Sequence, residues 1–203
     1  MLSMGEYEQA MVDLGTSGST MVDDVSKEPP SAAELNKLIL HYDKLIALFP
    51  KAAESLYNRG LLYLTMLDNK RGGADMQAVV GDSGDCNTTA DYAACWASIA
   101  LRLQNKEAEA DRLLAGYSKR SRRDKPPQEV EYFWNRAIHV DVSKIARGNR
   151  ERKTRALTLL GLDALAHKDR VRAREYLSAV RHDGEPSMDE FALAMAYLKR
   201  LGY

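Results

Sequence analysis

The sequence is poor in cysteine: only Cys86 and Cys95 occur in its 203 residues. Two thiols cannot form the disulfide framework of a small secreted scaffold, and no Cys/His spacing matches a zinc site. Cys95 lies in an apolar helical stretch, which predicts a small core residue. A bond between the two cysteines is the less favoured alternative, because the segment between them begins as a loop and disulfide geometry is demanding.

Long hydrophobic runs are also missing. No segment approaches the ~20 consecutive apolar residues of a transmembrane helix. The chain begins Met-Leu-Ser-Met-Gly-Glu-Tyr-Glu, without the basic start and apolar centre of a signal peptide. We therefore expect a cytoplasmic protein without a membrane span. A periplasmic or secreted location is the alternative if a signal peptide has been removed.

The chain has no net charge, but its charges are unevenly distributed. Residues 1–100 contain 7 Lys/Arg and 14 Asp/Glu, a net of −7, whereas residues 101–203 contain 22 and 15, a net of +7. This pattern has two interpretations. The charges either cover solvated helix faces without a partner, or form a dipolar molecule whose basic end attracts an acidic partner.

Helical periodicity, by contrast, runs through nearly every segment. Capping-box sequences at Ser31–Glu34 and Ser187–Glu190 predict helix starts, and no segment has the alternation of a strand. The sequence therefore predicts an all-α protein of about ten helices. Besides a segment around 5–14, the expected helices cover residues 31–49, 53–66, 69–80, 88–103, 106–117, 128–147, 152–166, 169–181 and 191–201.

Part of the sequence is repeated. Residues 56–80 return in altered form at 157–180: a leucine precedes a glycine by four positions (Leu56 and Gly60; Leu157 and Gly161), and a polar turn and a second apolar helix follow. An internal repeat of a helix pair is the signature of a solenoid, which presents a surface that can hold another molecule.

These residues resemble the tetratricopeptide repeat, a 34-residue helix pair with small and aromatic residues at fixed positions. With Gly60 as position 8, Tyr63 and Met76 suit positions 11 and 24, and the Gly161 repeat fits similarly. Gly72 departs from the alanine that is usual at position 20. The resemblance implies a right-handed all-α solenoid. Its expected divisions are a partial repeat helix and loop (1–30), repeat helices (31–117), a basic Pro-containing loop (118–127), and repeat helices with a terminal helix (128–203).

In this family the first helices of the repeats line a concave groove that holds a peptide or helix. The resemblance therefore implies a scaffold or adaptor that binds a protein partner, with no catalysis, metal or cofactor. The groove residues that it implies are Glu54, Tyr57, Asn58, Leu61, Leu64, Arg155, Thr158, Leu162 and Leu165. Asn58 also matches one residue of the carboxylate clamp of chaperone-binding members, but helix 89–103 has no basic residue before Arg102 to complete it.

A basic segment supports an alternative function. Basic residues cluster between positions 119 and 125, and further basic residues follow at 147–155. Together they are the strongest local charge signal in the chain. It indicates an adaptor that contacts nucleic acid or an acidic surface through residues 119–155. Nucleic acid is the less favoured partner, because no aromatic platform or known module accompanies the charge. The cluster consists of Lys119, Arg120, Arg122, Arg123 and Lys125.

Signals for catalysis are weak. The letters Gly-Asp-Ser-Gly at 81–84 resemble the surroundings of a trypsin-like nucleophile, but no histidine base or β-barrel accompanies them, so we expect a loop. The four histidines are scattered singly. The terminal helix, 191–201, is amphipathic and has no second helix after it. It therefore predicts self-association through the chain ends, continuation in a longer repeat array, or a capping helix packed on 169–181.

Overall fold

The computed structural model describes residues 30–82, 88–121, 126–135 and 149–203. Within these ranges the chain forms nine α-helices and no strand, which confirms the all-α prediction. No helix in them is both long enough and apolar enough to cross a bilayer. The helices are α1 (Ala32–Leu48), α2 (Ala53–Thr65), α3 (Asn69–Asp82), α4 (Thr88–Leu103), α5 (Glu107–Arg120), α6 (Gln128–Trp134), α7 (Arg150–Ala166), α8 (Arg170–Asp183) and α9 (Asp189–Arg200).

The helix starts follow local chemistry at α1 but not at α9. Ser31 and Glu34 form the predicted capping box, each side chain accepting a hydrogen bond from the other residue's backbone N–H. The box predicted at Ser187 does not form, because Met188 is the residue that precedes α9. The Ser187 hydroxyl instead donates to the Glu185 carboxylate at 3.0 Å.

Two predicted boundaries between helix and loop are wrong. The helix expected over 128–147 ends at Trp134, because the next residue, Asn135, has an extended backbone with φ −137° and ψ 97°. Residues 136–148 lie outside the described ranges. Helix α5, in turn, continues to Arg120, into the segment expected as a basic loop.

The helices form hairpins around an inner set of four. Helix α2 pairs with α3, α4 with α5, and α7 with α8, while α3 also packs on α4 and α1 packs on α2. The inner helices α2, α4 and α7 contact one another in that order, and α9 packs on both α7 and α2. The inner helices therefore close into a ring rather than lining an open groove.

Helix α9 joins the last hairpin to the first. The Tyr197 hydroxyl, which is fully buried, donates a hydrogen bond of 2.7 Å to Asn69 Oδ1 at the start of α3. Burial raises the pKa of Tyr197 to about 12. Because α9 is covered within its own chain, it offers no open apolar face for the self-association that its sequence suggested. The N-terminal residues invoked in the same prediction lie outside the described ranges.

Glycines allow two of the hairpins to pack closely. A Cβ atom at Gly72 would lie 2.7 Å from Leu64 Cγ and 2.9 Å from the backbone oxygen of Gly60. A Cβ atom at Gly161 would lie 2.7 Å from Leu177 Cδ2. Such distances are shorter than van der Waals contact, so the α2–α3 and α7–α8 pairs depend on glycine at these two positions.

Candidate functional site

The residues expected to line a concave groove are mostly buried, which corrects the prediction of an accessible groove. The exposed fraction of Tyr57 is 9 %, and that of Leu64 and of Leu162 is 0 %. Leu61 and Thr158 are equally inaccessible. The physical reason is that α9 packs on α2 and α7 and fills the space where a ligand would lie. These side chains form the core of the ring.

Hydrogen bonds inside the ring confirm this placement. The indole Nε1 of Trp96 donates to the Tyr57 hydroxyl oxygen at 3.0 Å, and both side chains are buried. Burial raises the pKa of Tyr57 well above its usual value. The Thr158 hydroxyl lies 3.1 Å from the backbone oxygen of Glu190, which joins α7 to α9. The hydroxyl groups of Tyr57 and Thr158 therefore form hydrogen bonds within the protein.

The other four predicted groove residues remain at least partly exposed, but they do not form one surface. Glu54 is exposed, while Asn58 is half-buried and hydrogen-bonds Tyr42 of α1. Leu165 is half-buried against the central core. Arg155 alone among the nine predicted residues lines a cleft described below.

This cleft lies between the first turns of α4, α6 and α7. It has a volume of about 510 Å³ and is open to solvent. Its lining is mainly polar, with one aromatic ring and two prolines. The lining residues are Thr88, Tyr92, Pro126, Pro127, Gln128, Asn149, Glu151, Arg152 and Arg155.

The start of α7 places two arginines on the same side of the cleft. The Asn149 side chain accepts a hydrogen bond of 3.1 Å from the backbone N–H of Arg152 and thereby caps the helix. Residues three apart lie on one face of a helix. Arg152 and Arg155 therefore lie side by side in the cleft wall.

The first arginine is held by a buried carboxylate. Glu129 of α6 is 0 % exposed, and its two oxygens accept hydrogen bonds from Arg152 Nε at 3.2 Å and Nη2 at 3.0 Å. The Tyr92 hydroxyl donates to the same carboxylate at 2.7 Å. The hydrogen bonds that Arg152 donates to Glu129 raise the pKa of Arg152, and burial raises the pKa of Tyr92.

The second arginine is held in a similar way from the opposite side. Arg155 Nε donates to Glu190 Oε1 at 2.6 Å, and Glu190 of α9 is 3 % exposed. The Arg155 guanidinium also lies 4.8 Å from the centre of the Tyr92 ring, within the range of a cation–π contact. Burial alone would lower the pKa of Arg155, but the charge and hydrogen bond of Glu190, together with the nearby Tyr57 and Tyr92, raise it.

Each arginine retains hydrogen-bond donors for a ligand. No described residue accepts a hydrogen bond from Arg152 Nη1 or from either terminal nitrogen of Arg155. Their side chains are 46 % and 30 % exposed. Glu151 is exposed at the rim and has no ion pair with a described residue. The cleft therefore presents fixed guanidinium edges with one carboxylate beside them.

Sequence reasoning found part of this site. It identified Arg155 as a groove residue, and it included Arg152 among the basic residues of the 119–155 alternative. It missed Glu129 and Tyr92, which contact the arginines from other helices. The sequence did contain a signal for the part of the cleft formed by α7: Asn149, a residue type that caps helices, is followed by Arg152 and Arg155, which are three residues apart. No local signal links Glu129 to a partner 23 residues away.

The remaining predicted site residues are only partly described. Lys119 and Arg120 are exposed in the last turn of α5. Arg122, Arg123 and Lys125 lie outside the described ranges, as does Cys86, whereas Cys95 is buried as predicted. The described residues contain no cluster of three or more metal-ligating side chains.

No family model matches the chain, and no curated protein or solved structure matches it either. The tetratricopeptide resemblance therefore rests on the residues quoted for it.

Proposed function

We propose that this protein is a non-catalytic binding protein that recognises an acidic segment of a protein partner. The binding site is the cleft between the starts of α4, α6 and α7. The observation that carries the proposal is the pair Arg152 and Arg155, each fixed at one edge by a buried glutamate, with unused donors in the same cleft. The fold is a tetratricopeptide-like array whose inner face has become core.

The geometry suits carboxylate and carbonyl oxygens. A guanidinium group presents a planar set of donors that can bind two oxygen atoms at once. Glu129 and Glu190 hold the two groups in one orientation before a ligand arrives, so less side-chain entropy is lost on binding. The Tyr92 ring and the two prolines supply apolar contact area beside the donors.

The charge balance favours a protein segment over nucleic acid. Two arginines face three carboxylates: Glu129, Glu190 and Glu151. A polyanion binds through many basic contacts and strong positive potential, which this balance does not supply. One or two carboxylates of a peptide can bind through directed hydrogen bonds without it.

The test is a selection from a random peptide library displayed on phage, using the full-length protein as bait. A selected peptide is then titrated by fluorescence anisotropy. We expect acidic peptides to be enriched. The double variant Arg152→Lys/Arg155→Lys keeps both ion pairs with glutamate but removes the free guanidinium edges. It should bind the selected peptide at least about tenfold more weakly, because charge-assisted hydrogen bonds contribute ~1.5–3 kcal/mol each.

Two further variants control for charge and for the type of substitution. Glu151→Gln removes the rim carboxylate and should strengthen binding of an acidic peptide. The variant Arg170→Lys/Arg181→Lys changes two exposed arginines of α8 and should bind like the wild type. Enrichment of non-acidic peptides, or equal binding by both arginine-to-lysine variants, contradicts the proposal. Steeply salt-dependent binding of a single-stranded oligonucleotide, without any selected peptide, would favour the nucleic-acid alternative.

A further inference from the structure

Helix α1 has an uncovered apolar face. Among the described helices it packs on α2, where Leu35 and Ile39 form a small cluster with Leu62 and Tyr63. Leu40 and Leu48 on the rest of α1 are 58 % and 65 % exposed. They are two of the four exposed large hydrophobic side chains in the described part of the chain. Leu48 belongs to the uncovered face, whereas Leu40 lies outside it.

Three leucines and a histidine beside the α2 contact form a regular stripe. Leu38, His41, Leu45 and Leu48 follow one another at intervals of three, four and three, the spacing at which a helix face receives a second helix. The first three are half-buried and Leu48 is exposed. From Leu38 to Leu48, at about 1.5 Å per residue, this stripe is ~15 Å long.

The charge along this stripe is positive. Lys37 and Lys44 adjoin it and are seven residues, about two helical turns, apart. Neither makes an ion pair with a described residue. The acidic residues of α1 are engaged elsewhere: Asp43 binds Arg59 at 2.7 Å, and Glu34 closes the capping box. The face therefore fits an apolar segment that carries acidic side chains. A second copy of α1 fits poorly, because it would bring lysines of like charge together.

We propose that this face of α1 binds residues 5–14 of the same chain. The apolar residues of that segment, Tyr7, Ala10, Met11 and Leu14, recur at helical spacing. Glu6 precedes them, and Glu8 and Asp13 lie between them. The residues between Leu14 and Ala32 can span up to ~60 Å, more than the length of the stripe. Residues 5–14 lie outside the described ranges, so the assignment rests on sequence complementarity, reach and the uncovered face.

Cysteine pairing in the full-length protein tests this inference. Met11→Cys is combined with Leu45→Cys, in the stripe, or with Leu40→Cys, on the other side of α1. After mild oxidation the disulfides are mapped by mass spectrometry, which distinguishes the native cysteines. We expect an intramolecular bond between positions 11 and 45, and little between 11 and 40.

A charge reversal supplies the second measurement. In the variant carrying Met11→Cys and Leu45→Cys, the added changes Lys37→Glu and Lys44→Glu should slow bond formation several-fold. Adding Glu6→Lys and Glu8→Lys to that protein should restore it. Far-UV circular dichroism confirms that each variant folds. Equal bonding at positions 40 and 45 would show tethering without docking, and intermolecular bonds would show that another copy covers α1. Either result overturns the proposal, as does the absence of bonding to position 45.

Discussion

Replacement of Gly72 by alanine should destabilise the protein, although alanine is usual at the matching position of the tetratricopeptide repeat that this segment resembles. The added methyl group would meet Leu64 Cγ at 2.7 Å and the backbone oxygen of Gly60 at 2.9 Å. Leu64 is 0 % exposed, and its contacting atom is a branch point rather than a flexible end. Neither neighbour can move aside without disturbing α2.

The magnitude follows from two opposing terms. Alanine in a helix interior is favoured over glycine by about 1 kcal/mol. Overpacking a tight contact costs about 1–3 kcal/mol. We therefore expect the free energy of unfolding of Gly72→Ala to fall by up to about 2 kcal/mol. Gly116 lies inside α5, and no atom would approach its added methyl group within 4 Å. Gly116→Ala should therefore be stabilised by about 1 kcal/mol through propensity alone.

Urea unfolding followed by far-UV circular dichroism measures both changes. The difference between the two variants cancels the propensity term and leaves the overpacking cost of about 1–3 kcal/mol. The reasoning is refuted if Gly72→Ala is as stable as Gly116→Ala. That result would mean that α2 and α3 do not approach each other as closely as the contact of Gly72 with Leu64 requires.

Two other predictions concern the ring core and its closing helix. Leu61→Ala should lose about 2–5 kcal/mol of unfolding free energy, and the exposed Leu40→Ala, which lies outside the α1 stripe, less than ~0.5 kcal/mol. Urea unfolding measures both losses, and an equally small loss for Leu61→Ala would contradict its place in the core. The second prediction concerns Tyr197, whose pKa rises from 10.0 to about 12 on folding. Its contribution to stability is present below pH ~10 and is lost as pH rises through about 12. A urea series over this range should show a smaller alkaline loss for Tyr197→Phe, and an unchanged loss would contradict burial of the hydroxyl.

The sequence by itself determined the helices. Periodicity, breakers and the Ser31 capping box act over a few residues, so helices such as α2 and α4 begin and end within a residue or two of prediction. The misplaced end of the 128–147 helix shows the limit of this reasoning. Its apolar spacing continues past Trp134, but the backbone adopts an extended conformation at Asn135.

Only the tertiary structure decided which helix faces became core. Leu61 and Leu162 suit either a ligand groove or a protein interior, because an apolar side chain is equally compatible with both. The choice depends on α9, which closes the ring through contacts such as Tyr197 with Asn69, 128 residues apart. The cleft has the same origin, since Arg152 and Arg155 are oriented by glutamates from two other helices. Pairings over such separations leave no periodic trace in the sequence, because they depend on how whole helices pack.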